Sequence, residues 1–369
     1  MALYPNLIRE ALMQVRYPGT GKNLIESDML AGDIRIEGAK VSFTLVFDKP
    51  NDPFIRSVVK AAEAMIERAA GDDPVEIRGN IHVQTRQAPR PEADKLLPQV
   101  KNIIAVASGK GGVGKSTVAA NLAIGLARLG YKVGLLDADV FGPSQPKMFG
   151  IEAYRPYVVR KDDRDLIVPA ENYGVKLLSV GFFVDPNDAT IWRGSMAGSA
   201  LKQLIGDADW GELDYFLIDM PPGTSDIHLT IVQTLALTGA VVVSTPQQVA
   251  LADARKGIDM FLNEKINVPV LGLVENMAWF TPAELPNNRY YLFGREGVKD
   301  LAEEMHVPLL AQIPVVQSVC ESGDSGYPVV LDNDHPVGQS MLSLAQAVVT
   351  QTHIRNASMP KTQRVEVHK

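Results

Sequence analysis

Residues 106–123 read VASGKGGVGKSTVAANLA. Within them Gly109, Lys110, Gly111, Gly112, Val113, Gly114, Lys115, Ser116 and Thr117 form a set suited to gripping phosphate. Residues 109–116 fit G-x-x-x-x-G-K-[ST], with an apolar strand-like run before them and a helical pattern after. Glycines allow the backbone to aim several N–H groups at phosphate oxygens, and a helix starting near Lys115 adds the positive end of its dipole. In that arrangement Lys115 supplies a cation to the β- and γ-phosphates, the Ser116 hydroxyl ligates Mg2+ and Thr117 hydrogen-bonds the α-phosphate. Lys110 is the unusual member, because one lysine at the end of such a loop already meets the need.

Two acidic stretches complete the candidate site. LLDADVFGPS carries Asp137 and Asp139, and FLIDMPPGTSD carries Asp219 and Gly223. Each lies at the carboxyl end of an apolar run, where open α/β sheets bind ligands. Asp219 is the carboxylate for Mg2+, and the Gly223 N–H is placed to sense a γ-phosphate. Asp139 is placed to orient the attacking water, with the division of roles between it and Asp137 left open. The alternative is that these aspartates cap the helices that follow them. His228 reads as structural, since phosphoryl transfer rests on positioning and charge.

The elements that must hold these residues follow from periodicity. NIIAVAS, KVGLLDAD, VKLLSVGF, YFLIDM, AVVVSTP, VPVLGLVENM and VPLLAQIP are continuous apolar runs, the pattern of strands buried on both faces of a parallel sheet. Helical stretches at 117–129, 197–204, 227–237 and 252–264 alternate with them. The spacing predicts an α/β fold, a doubly wound and mostly parallel sheet, over residues 102–358. Residues 1–86 predict a small α+β domain: helices near 6–15 and 53–70, two alternating runs in IRIEGAKVSFTLVF joined at Gly38, and a closing strand in VEIRGNIHVQTR. Residues 87–101, with three prolines between 88 and 98, read as a linker, and 359–369 as a polar tail.

Composition narrows the classes. The 369 residues are 46% hydrophobic and 21% charged, a globular balance. No apolar run approaches the roughly 20 residues of a membrane span. The N-terminus lacks a signal-peptide core, so a cytoplasmic setting is expected. A net charge of −7 gives no global basic field for nucleic acid. The single cysteine, Cys320, rules out an intramolecular disulfide and a two-cysteine metal site within one chain.

Lys110 with Lys115, together with LLDADVFGPS and DMPPGTSD, resembles the MinD/ParA class of P-loop ATPases. DADVFGPSQPKMFG, WRGSM, IDMPPGTSDIHLT and GLVENM resemble more closely its Mrp (ApbC) branch, the iron–sulfur cluster carriers. The resemblance implies ATP and Mg2+ as ligands and a homodimer in which Lys110 reaches the phosphates bound by the partner chain. It implies that Asn276 contacts the adenine. Residues 1–86 resemble the small iron–sulfur assembly domain often fused ahead of such ATPases. A 4Fe–4S cluster bridging two subunits, with client apoproteins as partners, is the corresponding cargo; neither nucleic acid nor membrane is expected.

The sequence departs from that pattern where cargo would be held. Carriers of this branch have a C-x-x-C pair after the ENM strand, so that two subunits supply four thiolates. Here the segment reads ENMAWFTPAELPNNRYYLFG, without cysteine. The first domain has FDKPNDPF where its relatives place a cysteine between prolines, and Tyr17 where they place an aspartate. Cys320 reads as a buried small residue or bystander, although two copies across a dimer could supply two thiolates. Two functions therefore stand at this point. One is an ATP-dependent cluster carrier or assembly factor without the usual ligands. The other is a nucleotide-gated dimeric switch acting on a protein partner, with Trp279 and Phe280 either as apolar anchors of AWFTPAEL or packed into the core beneath it.

Overall fold

The computed structural model describes residues 3–18, 21–47, 52, 54–71, 73–85, 96–161, 163–183, 194–282, 284–285 and 287–365. The chain divides into two compact units, Met1–Asp94 and Lys95–Lys369.

In the first unit, α1 (Pro5–Met13) precedes the antiparallel pair β1 (Leu30–Glu37) and β2 (Lys40–Phe47), turned at Gly38. Helix α2 (Ile55–Ala70) then crosses to β3 (Ile81–Thr85), which pairs parallel with β2. Strand β2 alternates strictly: Val41, Phe43, Leu45 and Phe47 are buried, with more exposed residues between them. Helix α2 answers with Val58, Ala62, Ile66 and Ala70 along one face, the spacing of successive helical turns. All of these except Ala70 share a core with Ile8 and Leu12 of α1. The Tyr17 hydroxyl donates to Asp52, and its ring stands edge-on to Phe47 and Phe54. Most of the FDKPNDPF departure lies outside the described residues.

The second unit begins with β4 (Val100–Ala107), α3 (Lys115–Arg128), β5 (Val133–Asp137) and the short α4 (Gln145–Met148). A hairpin of β6 (Val158–Lys161) and β7 (Arg164–Ile167) leads to β8 (Ala170–Asn172) and β9 (Val175–Ser179). Helix α5 (Gly194–Gly206), β10 (Leu213–Asp219), α6 (Asp226–Thr234), β11 (Gly239–Ser244) and α7 (Gln248–Leu262) follow. The chain continues through β12 (Val270–Phe280), α8 (Gly297–Glu304), β13 (Leu309–Val315), α9 (Gln317–Asp324) and α10 (Pro336–Ser358).

Eight of these strands form one sheet in the order β13-β12-β11-β4-β10-β5-β9-β8. Every pairing is parallel except β8 with β9. Covered on both faces, the central strands bury nearly every side chain, which is why their sequences run apolar without alternation. From β4 the chain moves outward through β5 and β9, returns to insert β10 beside β4, and leaves on the other side through β11. That reversal opens a crevice beyond the carboxyl ends of β4 and β10.

All seven apolar runs become strands of this sheet. The structure adds β8 and the β6–β7 hairpin, whose charged and mostly exposed residues give no apolar signal. Strand β4 starts at Val100, inside the expected linker, the rest of which lies mainly outside the described residues. Helix α6 stops at Thr234, short of the expected Leu237. The tail is bonded as far as Val365, whose N–H donates to Val232 at 3.2 Å. Among the described residues, no helix is long and apolar enough to cross a membrane.

Candidate nucleotide site

The loop between β4 and α3 takes its shape from close packing. Gly112 and Gly114 have φ of +81°, the left-handed region that other residues rarely adopt. Gly114 also lies against Asn276, whose Nδ2 would stand 2.2 Å from a Cβ added there. At Gly109 a Cβ would come within 2.1 Å of the Asp253 backbone on α7. Helix α3 begins at Lys115, as expected for the phosphate loop and two residues ahead of the apolar periodicity read from 117, so its unpaired N–H groups face the same crevice.

Lys115 and Asp219 form the centre of the site. Lys115 Nζ lies 2.5 Å from Asp219 Oδ1, with side-chain exposures of 6% and 0%. The ammonium also donates to Ser116 Oγ at 3.1 Å. Gln145 Nε2, from α4, bridges Asp219 Oδ2 at 2.7 Å and the Ser116 carbonyl at 3.0 Å. A buried charge survives when it is paired and its remaining lone pairs are used, and here both conditions are met. Ser144 Oγ and Gln145 Oε1 are buried without a partner. A site that leaves polar atoms unsatisfied beside a lysine, a hydroxyl and a carboxylate suits a phosphate ligand with its Mg2+.

The two aspartates after β5 separate clearly. Asp137 is fully buried and accepts from Ser179 Oγ at 3.0 Å and from the N–H groups of Asp139, Ser144 and Gln145, each at 3.2 Å. Burial, and next the charge of Asp219, push its carboxyl up to about 7. It holds the turn into α4, the arrangement of the capping alternative. Asp139 is only partly buried and accepts from the Gly142 N–H at 3.3 Å. Burial raises its carboxyl above the ordinary value, with Lys115 opposing.

The other expected site residues fall as follows. Ser116 and Thr117 are partly exposed at the start of α3, and Val113 is buried beneath the loop. Gly111 and Gly112 are exposed. The Gly223 N–H donates to the Ser108 carbonyl at 2.9 Å, tying the loop after β10 to the phosphate loop. Asn276 is buried and donates to the Val113 carbonyl at 2.8 Å, so here it braces the loop. Lys110 is exposed, and its ammonium makes no bond with a described residue. His228 accepts the Ser225 N–H at Nδ1, which leaves its proton on buried Nε2. Gln145 and Ser179 were missed: each is a neutral side chain whose role depends on which strand end it lands beside.

The cargo side is sparse. Cys320 is exposed on α9, 3.8 Å from Asp324 Oδ2, which rules out the buried small residue of the two readings and leaves the bystander. No group of three His, Cys, Asp or Glu suited to a metal occurs among the described residues. Where the resemblance places a cysteine pair, Arg289 stacks on Trp279, 4.2 Å above its ring. Phe280 and Tyr290 exchange backbone hydrogen bonds at 2.8 and 2.9 Å. Trp279 and Phe280 are half-buried and stand outside the main core.

Comparison with known proteins agrees with this geometry. Residues 99–349 match the family model described as NUBPL iron-transfer P-loop NTPase, and residues 6–78 match one described as iron-sulfur cluster assembly protein. An iron-sulfur cluster carrier protein of Synechocystis sp. is 40% identical over 341 residues, covering 92% of this chain and 95% of that one. The iron-sulfur cluster transfer protein NUBPL of Dictyostelium discoideum is 44% identical, over 72% of this chain and 82% of its own. Among solved structures, a nucleotide-binding protein of Archaeoglobus fulgidus in complex with ADP superposes with a TM-score of 0.54 at 39% identity, covering 64% of this chain and 90% of that one.

Two predictions follow from the buried groups. Lys115→Ala leaves the Asp219 carboxylate buried without a cation, and should lower the unfolding free energy of the nucleotide-free protein by about 3–5 kcal/mol in urea titrations. The double variant Lys115→Ala/Asp219→Ala should recover part of that loss; an equal or larger loss would show the pair is not coupled. Burial, above all, lowers the His228 imidazole to about 4. Its contribution to stability is therefore complete above the unfolded value near 6.5 and falls as pH drops toward 4, by at most about 3 kcal/mol. His228→Gln should flatten that limb of the stability–pH curve, while NMR of the native protein should show no His228 titration above pH 5.

Proposed function

This chain belongs to the NUBPL iron-transfer P-loop NTPase family, and from that premise we propose that it is an ATP-binding and ATP-hydrolysing iron–sulfur carrier or assembly factor that works as a dimer. The observation that carries the nucleotide half is the preformed loop, with Lys115 and Asp219 locked together at 2.5 Å beside the Ser116 hydroxyl.

In this reading Ser116 and Asp219 hold Mg2+, and Lys115 turns from Asp219 to the β- and γ-phosphates when nucleotide arrives. Mg2+ supplies neutralisation of the charge shared by those phosphates. The backbone N–H groups of Gly111, Gly112, Val113 and Gly114 cradle the phosphates, with Thr117 at the α-phosphate. Gly223 exchanges its bond to Ser108 for one to the γ-phosphate, which moves the loop ahead of α6. Asp139, the more accessible of the two β5 aspartates, orients the water. Asn276 sits at the loop's flank, where an adenine contact requires it to release Val113.

Lys110 completes the reading. It lies exposed at the mouth of the site, its ammonium without a partner among the described residues, as expected of a group that serves the neighbouring subunit's nucleotide. ATP then acts as the glue of the dimer, and hydrolysis releases it.

Cargo is the harder half. A four-thiolate cluster bridging two chains needs two cysteines from each, and each chain has only Cys320. The cluster is therefore carried with ligands beyond this chain's cysteines, the client apoprotein's thiolates among them. The stack of exposed Arg289 on half-buried Trp279, in place of a cysteine pair, favours a second reading: a switch that grips a client without carrying a cluster itself.

The deciding experiment is iron and acid-labile sulfide per dimer on protein purified without oxygen, with and without Mg·ATP and an apoprotein acceptor. The carrier reading predicts a cluster retained in the ternary mixture and diminished in Cys320→Ala. Absence of iron under every condition, with ATPase activity intact, would overturn it in favour of the switch.

A further inference from the structure

At the amino-terminal end of β4, opposite the nucleotide crevice, residues of the second unit line a half-open cavity of about 370 Å3. That is near the lower end of small-molecule pockets, roughly 300–1,000 Å3. Leu97 and Ile103 line it from the entry into β4, Ala236 from the turn after α6, and Met359 from the end of α10. Four cationic residues also line it, and no described lining residue carries a carboxylate.

One of those cations is unusual. Lys101 is engaged by Asp214 at 2.8 Å, an ordinary surface pair. Arg355 is only 7% exposed, and its three hydrogen-bond partners are neutral: Asn356 Oδ1 at 3.1 Å, the Pro360 carbonyl at 2.7 Å and Thr362 Oγ1 at 2.6 Å. Its Nε is buried with no partner. Arginine cannot shed its proton to escape this position, and burial alone depresses its guanidinium below the ordinary value. Its place in the last turn of α10 offsets part of the cost through the helix dipole. No carboxylate among the described residues pairs with it, and a buried cation without a counter-charge is expensive.

We propose that this cavity is a second ligand site, for an amphiphilic anion. The carboxylate or phosphate-monoester head pairs with Arg355 and Lys361, and a short apolar body lies against Leu97, Ile103 and Met359. The site is tied to the nucleotide crevice by two elements. Strand β4 runs from Val100 at the cavity to the phosphate loop, and α6 runs from the loop of Gly223 back to Thr234 at the cavity wall.

Calorimetry on the full chain saturated with Mg·ADP, which occupies the phosphate loop, tests this with octanoate and octyl phosphate as probes. Saturable one-to-one binding is expected for both, with octanol at least tenfold weaker. Arg355→Met should weaken octanoate at least tenfold, and Ala236→Leu should do the same by filling the cavity; both variants should still bind Mg·ADP. Arg355 also holds residues 360–362, so if its substitution prevents folding, Ala236→Leu and Lys361→Gln decide. No binding of either probe, equal affinity for octanol, inorganic phosphate as tight as octyl phosphate, or affinities unmoved by the variants would each overturn the proposal. Binding that appears only after deletion of residues 366–369 would overturn it too, by showing that the chain's own end fills the cavity.

Discussion

The buried pair of Lys115 and Asp219 is the constraint on which the second unit is organised. Neither charge would be tolerated alone at 6% and 0% exposure. Lys115 opens α3 and Asp219 closes β10, so the pair fixes a helix start against a strand end across the sheet's point of reversal. Gln145 secures the carboxylate's other oxygen, and Asp137 holds the turn that delivers Gln145. The result is a crevice whose buried cation rests on a neighbouring carboxylate. In the function we propose, an incoming nucleotide competes with Asp219 for Lys115, which couples occupancy to rearrangement at β10 and in the Gly223 loop.

The Gly223 N–H bond to Ser108 joins the two phosphate-facing loops directly, and α6 begins immediately beyond. His228 secures that start with a reciprocal cap to Ser225, and its burial keeps it neutral.

Much of this was legible in the sequence, for identifiable reasons. The seven apolar runs lack alternation because their strands are covered on both faces, and a 2-residue period would have signalled a different sheet. The phosphate loop was legible because its glycines answer a backbone demand: Gly114 has positive φ and no room for a Cβ. Gln145 and Ser179 were hidden, since a neutral side chain gains its function only from the strand ends it meets in space. The exposure of Cys320 was hidden for a related reason. A cysteine on a short helix shows its burial only through the helix's packing, and no residue of α9 is buried. Arg355 was equally silent, as a single arginine in a helix whose sequence says nothing of the missing carboxylate.

In the proposed dimer each phosphate site needs Lys115 from its own chain and Lys110 from the other. Subunit complementation distinguishes this from service within one chain: ATP turnover is measured for Lys110→Ala, for Lys115→Gln, and for their mixture after subunit exchange. Each variant alone should be nearly inactive. Half of the mixed dimers should be hybrid, with one complete site of two, so the mixture should recover about a quarter of wild-type turnover. If Lys110 serves its own chain instead, neither subunit of the hybrid holds a complete site, and a mixture as inactive as its parents would refute the shared site.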